Sequence, residues 1–109
     1  MAISADTLRG HTDTIILTQL MRKDSYGYEI NKTISALSDG RFELKEATLY
    51  TAFKRLEETG HIVSYWGDSG AGARRRYYTI TPAGRALHRQ LRSEWEETRE
   101  IMDKLLEKR

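Results

Sequence analysis

Between residues 46 and 60 the apolar side chains Leu49, Ala52, Phe53 and Leu56 fall at i, i+3, i+4 and i+7. That spacing gathers them on one face of an α-helix. The opposite face carries Thr48, Tyr50, Thr51, Lys54 and Arg55, and Gly60 stands where helices commonly end. Upstream, Leu8, Ile15, Ile16, Leu20 and Met21 predict a first helix over residues 7–22, closed by the polar break Lys23-Asp24-Ser25. Ser25 is placed to cap a second helix with the stripe Ile30, Ile34 and Leu37, ending at Ser38-Asp39-Gly40. A short alternating piece, residues 41–44, leads into the third helix.

Residues 62–66 and 75–80 are rich in β-branched and aromatic side chains and predict two strands. The stretch between them, residues 67–73, has three glycines in seven positions and suits a flexible hairpin tip better than a tight two-residue turn. Thr81 followed by Pro82 reads as an N-cap with proline at the first helical position. The helix it starts has room for about 26 residues, roughly 39 Å. Leu87, Leu91, Trp95 or Glu94, Thr98, Ile101 or Met102, and Leu105 recur along it at three- and four-residue steps.

Three helices, a hairpin and a long last helix make a mainly α chain with a small β-hairpin wing. The order predicts a winged helix-turn-helix over residues 1–81 and a C-terminal dimerisation helix over residues 82–109. A stripe that outruns its own domain needs a partner. It can fold back onto Ile3, Leu8 and Ile15 of the first helix, or pair with a second copy as a short coiled coil. A homodimer is the expectation, because DNA readers of this architecture match two-fold half-sites about 34–36 Å apart.

Composition changes the picture little. The chain has 109 residues, enough for one small core, and its 18 basic and 16 acidic residues leave only +2, too balanced to argue for nucleic acid by total charge. Distribution says more. The run from Ala71 to Leu91 holds no acid but contains Arg74, Arg75, Arg76, Arg85 and Arg89, whereas residues 94–109 carry six acids against four bases. There is no cysteine, hence no disulfide framework or thiolate metal site. Ile15-Ile16-Leu17 is far shorter than the roughly 20 residues needed to cross a bilayer, so a cytoplasmic protein without a membrane partner is expected.

Hydroxyls and cations on a scaffolded helix suit phosphate oxygens and base edges, which makes Thr48, Tyr50, Thr51, Lys54 and Arg55 candidates for contact with double-stranded DNA. The competing reading is an ordinary solvated face, and for Tyr50 a plug into the core. Arg74, Arg75 and Arg76 alternate faces in a strand, so Arg75 should oppose the other two and at least one should be structural. Tyr26 and Tyr28 open the second helix, where amides and a phenol can hold a phosphate, or Tyr28 can pack on the wing. Catalysis is not expected and no cofactor is implied. Gly67-Asp68-Ser69-Gly70 imitates a protease nucleophile segment, but His11, His61 and His88 show no partner pattern, and phosphate-loop and dinucleotide spacings fail. The remaining rival is a winged helix used for protein contact without specific DNA binding.

Tyr26-Gly27-Tyr28-Glu29-Ile30, Ala47-Thr48-Leu49-Tyr50, Lys54-Arg55-Leu56-Glu57, Gly60, Arg75-Arg76-Tyr77-Tyr78 and Thr81-Pro82-Ala83-Gly84 together resemble the PadR family of bacterial transcriptional regulators over about residues 8–91. Residues 44–81 are similar to its short-tailed, multidrug-binding repressors of the LmrR type. The resemblance implies a homodimeric repressor with a C-terminal helix crossing to the other subunit. It also implies a planar aromatic small molecule held at the dimer centre around Trp95, with Leu91, Glu94, Thr98, Arg99, Leu8 and Ile15 nearby. Ala73 departs from the paired glycines usual before the basic strand. The residues flanking Trp95 are of variable type, which leaves the ligand's identity open.

Overall fold

The computed structural model describes residues 4, 6–68 and 74–107. A 3-10 turn at Arg9–His11 precedes α1 (Thr12–Arg22), followed by α2 (Gly27–Leu37), α3 (Glu46–Glu58), β1 (Ile62–Asp68), β2 (Arg74–Ile80) and α4 (Pro82–Leu105). The expected class holds: three helices, a two-stranded antiparallel wing and a long final helix. The first helix is shorter than its pattern predicts, because residues 9–11 wind tighter before the α-helix begins.

The core lies where α1, α2, α3 and the base of the hairpin converge. Ile16, Leu17 and Leu20 of α1 meet Ile30 and Ile34 of α2, all four apolar residues of the α3 stripe, and Ile62, Tyr78 and Ile80 of the wing. The Phe53 and Tyr78 rings stack at 4.0 Å in its middle. Leu37 departs from expectation: it ends the α2 stripe as the last residue of the helix but is 65% exposed.

The α3 C-terminus is built as its glycine suggests. Gly60 takes φ +79, its N–H donates to the Glu57 carbonyl, and the His61 N–H donates to Leu56. This paired closure satisfies carbonyls that the helix leaves open. At the start of α2 the expectation fails. Tyr26 occupies the cap position without a side-chain cap bond, while Ser25 is buried in an antiparallel bridge with Tyr78 and its hydroxyl donates to Glu29 at 2.6 Å. The bridge won because β2 needs a partner for its free edge near the core. Residues 41–45 belong to no strand. Asn31 holds them instead, its amide donating to the Leu44 carbonyl at 2.6 Å and its carbonyl accepting the Leu44 N–H at 2.8 Å.

β1 and β2 pair from Ile62↔Ile80 to Asp68↔Arg74, so Gly67 and Asp68 belong to the ladder and not to a loose tip. The expectations for Ser69, Gly70 and Ala73 fall outside the described residues, as does that for Ile3. Thr81 caps α4 as expected, accepting from the Gly84 N–H at 3.0 Å, and its hydroxyl donates to the Gly60 carbonyl at 2.7 Å. Gly84 is required for space. A Cβ there would overlap the His61 carbonyl and lie 2.7 Å from Ile80 Cγ1.

Candidate nucleic-acid interface

Burying Leu49, Ala52, Phe53 and Leu56 turns the other side of α3 outward, and Thr48, Tyr50, Thr51, Lys54 and Arg55 are all exposed on it. They differ in what they touch. Lys54 makes no ion pair among the described residues. Arg55 pairs with Asp13 at the start of α1, so its guanidinium is already engaged within the chain. Tyr50 is neither a buried plug nor a freely solvated ring. Its ring packs edge-on against Phe53 at 5.6 Å, yet the residue stays exposed, with its hydroxyl lying over the first residue of α2. A Cβ on Gly27 would sit 2.5 Å from that hydroxyl, so the glycine of Tyr26-Gly27-Tyr28 makes room for the phenol of α3.

The three wing arginines separate by strand alternation. Arg74 and Arg76 lie on the side of Trp66, 5.4 and 6.0 Å from its ring, and Arg76 also pairs with Glu57 of α3 at 3.3 Å. Arg76 is therefore the structural one. Arg75 faces the other way, its guanidinium 4.5 Å over the Tyr26 ring. Tyr26, not Tyr28, is the tyrosine that packs on the wing, edge-on to Tyr77 at 5.3 Å. Tyr28 is 70% exposed. Tyr26, Gly27, Tyr28, Tyr50, Arg75 and Arg76 together line one recess of about 290 Å³. Elements distant in sequence thus bring three tyrosines and two neighbouring arginines to one place, with the Arg75 guanidinium on its Tyr26 side.

A second recess, about 440 Å³, runs between the start of α1 and α3. Thr48, Thr51 and Arg55 line one wall, Asp13 and Thr14 the other, and Leu91 of α4 closes it. Leu8, Ile15 and Leu91 are partly buried against the core. Trp95 meets the His11 ring edge-on at 5.2 Å and remains 38% exposed. Glu94 accepts from Gln90 at 3.1 Å, Arg99 donates to Glu96 at 2.5 Å, and Thr98 is exposed. Leu8, Ile15 and Leu91 thus pack on the core and Trp95 meets His11 just before α1, while Glu94, Thr98 and Arg99 carry on along α4.

Sequence reasoning missed His88. It is buried on α4 with Nε2 2.9 Å from Thr18 Oγ1. Thr18 gives its only proton to the Thr14 carbonyl at 2.7 Å, so His88 Nε2 donates to the Thr18 oxygen. Burial, then Arg92 and Arg89, push its pKa below the ordinary histidine value. Asp13, Glu57 and Asn31 were missed because their partners lie on other elements, a relation that spacing within one helix does not carry. Among the described residues there is no metal-binding cluster, and no helix is long and apolar enough to cross a membrane.

An outward helix of hydroxyls and cations on a three-helix core, flanked by an arginine-bearing hairpin, defines a winged helix-turn-helix of the DNA-binding kind. The model of the transcriptional regulator PadR-like family matches residues 16–90, and the chain belongs to that family. Its members are transcriptional regulators and not enzymes. The chain is 46% identical over 105 residues to an uncharacterized protein of Lysinibacillus sphaericus, covering 96% of each. Its fold is similar to a transcriptional regulator from Clostridium thermocellum (TM-score 0.86, 48% identity, 94% of this chain and 97% of that one). It also resembles a PadR family transcription regulator from Clostridium difficile (TM-score 0.76, 36% identity, 88% and 98% covered).

Proposed function

We propose that this DNA-binding regulator is a homodimeric repressor whose residues 1–81 read an operator and whose residues 82–109 join the two subunits. Thr48, Thr51 and Lys54 enter the major groove, with Tyr50 at the groove edge. Tyr28, Tyr26, Arg75 and Arg74 meet the backbone beside it. Arg55 joins them when it leaves Asp13, and Arg76 acts from its place against Glu57. The observation that carries this reading is the recess where Tyr50, the α2 start and Arg75 converge next to the open face of α3. In the same reading the protein is LmrR-like. A planar aromatic molecule binds where Trp95, Leu91, Leu8 and Ile15 meet, with Glu94, Thr98 and Arg99 completing the site from the dimer centre, and it releases the DNA by favouring the unbound form.

The test is a fluorescence-anisotropy titration on DNA from upstream of the protein's own gene, at two salt concentrations, against scrambled competitor. A dimer neutralising six phosphates should lose affinity with a log–log salt slope of about −5. Lys54→Ala should weaken all sequences alike and flatten the slope by about 0.9 per lysine, while Thr48→Ala should relax sequence preference. Binding indifferent to both sequence and salt would replace this reading with a protein-contact module.

A further inference from the structure

Above its buried base, the wing is joined to the turn before α2 by a backbone bridge, in which Ser25 and Tyr78 exchange N–H···O bonds of 3.2 and 2.8 Å. Two side-chain attachments flank it. On one side the Tyr65 hydroxyl donates to Asp24 at 2.7 Å, and on the other Tyr26 meets Tyr77 edge-on. Tyr65 and Tyr77 are partners in the strand register, and their rings stack at 5.6 Å with planes 12° apart. The chain of contacts therefore closes on itself: Asp24, Tyr65, Tyr77, Tyr26, and back along the turn. Arg75 rests on the last ring of this series. Gly67 belongs to the same arrangement, because a Cβ there would lie 2.7 Å from Tyr77 Cδ1 and displace the ring.

We propose that Tyr77 and Tyr65 are positioning residues for DNA binding, which hold Arg75, through the Tyr26 ring beneath it, in the pose that grips a backbone phosphate. Neither needs to touch DNA. Tyr77 braces the Tyr26 ring under the guanidinium, and Tyr65, latched to Asp24, braces Tyr77. An exposed arginine without such a seat samples many rotamers, and a cation–π contact with an oriented ring restricts them. This inference rests on the reading that the wing meets DNA.

The experiment compares wild type, Arg75→Ala, Tyr77→Leu, Tyr77→Phe, Tyr65→Phe and the double variant Arg75→Ala/Tyr77→Leu by anisotropy across a salt series, with each fold checked by thermal melting. Tyr77→Leu should weaken binding about threefold to tenfold, the range of one cation–π contact and the phosphate it serves. It should also flatten the salt slope as Arg75→Ala does, although it removes no charge. Tyr77→Phe should restore both, and the double variant should bind no worse than Arg75→Ala alone. Tyr65→Phe, at an exposed ring, should show the same flattening at about twofold and carries the test if Tyr77→Leu does not fold. An unchanged slope, or losses that multiply in the double variant, would overturn the positioning role while Arg75→Ala still shows the wing on DNA. If Arg75→Ala itself leaves affinity and slope untouched, the wing reading falls first and the positioning role with it.

Discussion

The two halves of α4 carry the same apolar spacing in opposite surroundings. From Pro82 to Leu91 the helix is built into the protein: Gly84 and His88 are buried, Leu87 and Leu91 lean on the core, and Thr81 ties the helix start to Gly60. From Glu94 to Leu105 the apolar steps continue, yet Ile101 and Leu105 are 47% and 71% exposed, and the flanking contacts are ion pairs within the helix. Periodicity states which side chains require cover. It does not state what provides it.

The largest expected effect tests what covers the distal half. Ile101→Asp with Leu105→Asp should convert a dimer to monomers in sedimentation at micromolar concentration, with helical circular dichroism retained, since each buried charge at a seam costs about 2 kcal/mol or more. Persistence of the dimer would place the subunit contact elsewhere. Next comes the proximal half. Gly84→Ala must displace the His61 carbonyl, and overpacking of this kind costs about 2–3 kcal/mol, read as a lowered melting temperature at any protein concentration.

A smaller effect is pH dependence at His88. Its folded pKa lies below the ordinary value, so the unfolded chain binds the proton more readily. The stabilisation is therefore complete above the unfolded pKa and is lost as pH falls through the folded one. Melting temperature should drop on acidification below about pH 6.5, and His88→Gln should reduce that drop. The smallest change is Glu96→Gln, which removes the Arg99 pair from the distal half and should alter stability by about 0.3 kcal/mol. A large effect there would mean that the exposed half holds itself up without a partner.

The fold was legible because its elements carry local marks. The α3 stripe, the left-handed Gly60 and the Thr81-Pro82 cap each act within a few residues. For the candidate site, the sequence offers a list of residues to consider and little of their arrangement. Tyr26 and Tyr28 look alike in sequence, and only the Ser25–Tyr78 bridge decides which of them lies under the wing. Arg55 and Arg76 look like free cations until Asp13 and Glu57 arrive from other elements. Ser25 looked like a cap because caps are local, whereas the bridge that claims it comes from a strand more than fifty residues away.

The seat of Gly84 on the His61 carbonyl also has a mechanical side. His61 follows the end of α3, opens the hairpin and receives the Thr81 N–H at 3.1 Å, so α3, wing and α4 share one fulcrum. From it α4 extends about 36 Å, and a tilt of about 5° there swings the far tip by about 3 Å. Read in reverse, the arm is geared down. A displacement of one ångström at the tip turns the fulcrum by less than about 2°, whereas the same displacement near Trp95, roughly halfway along, turns it about twice as far.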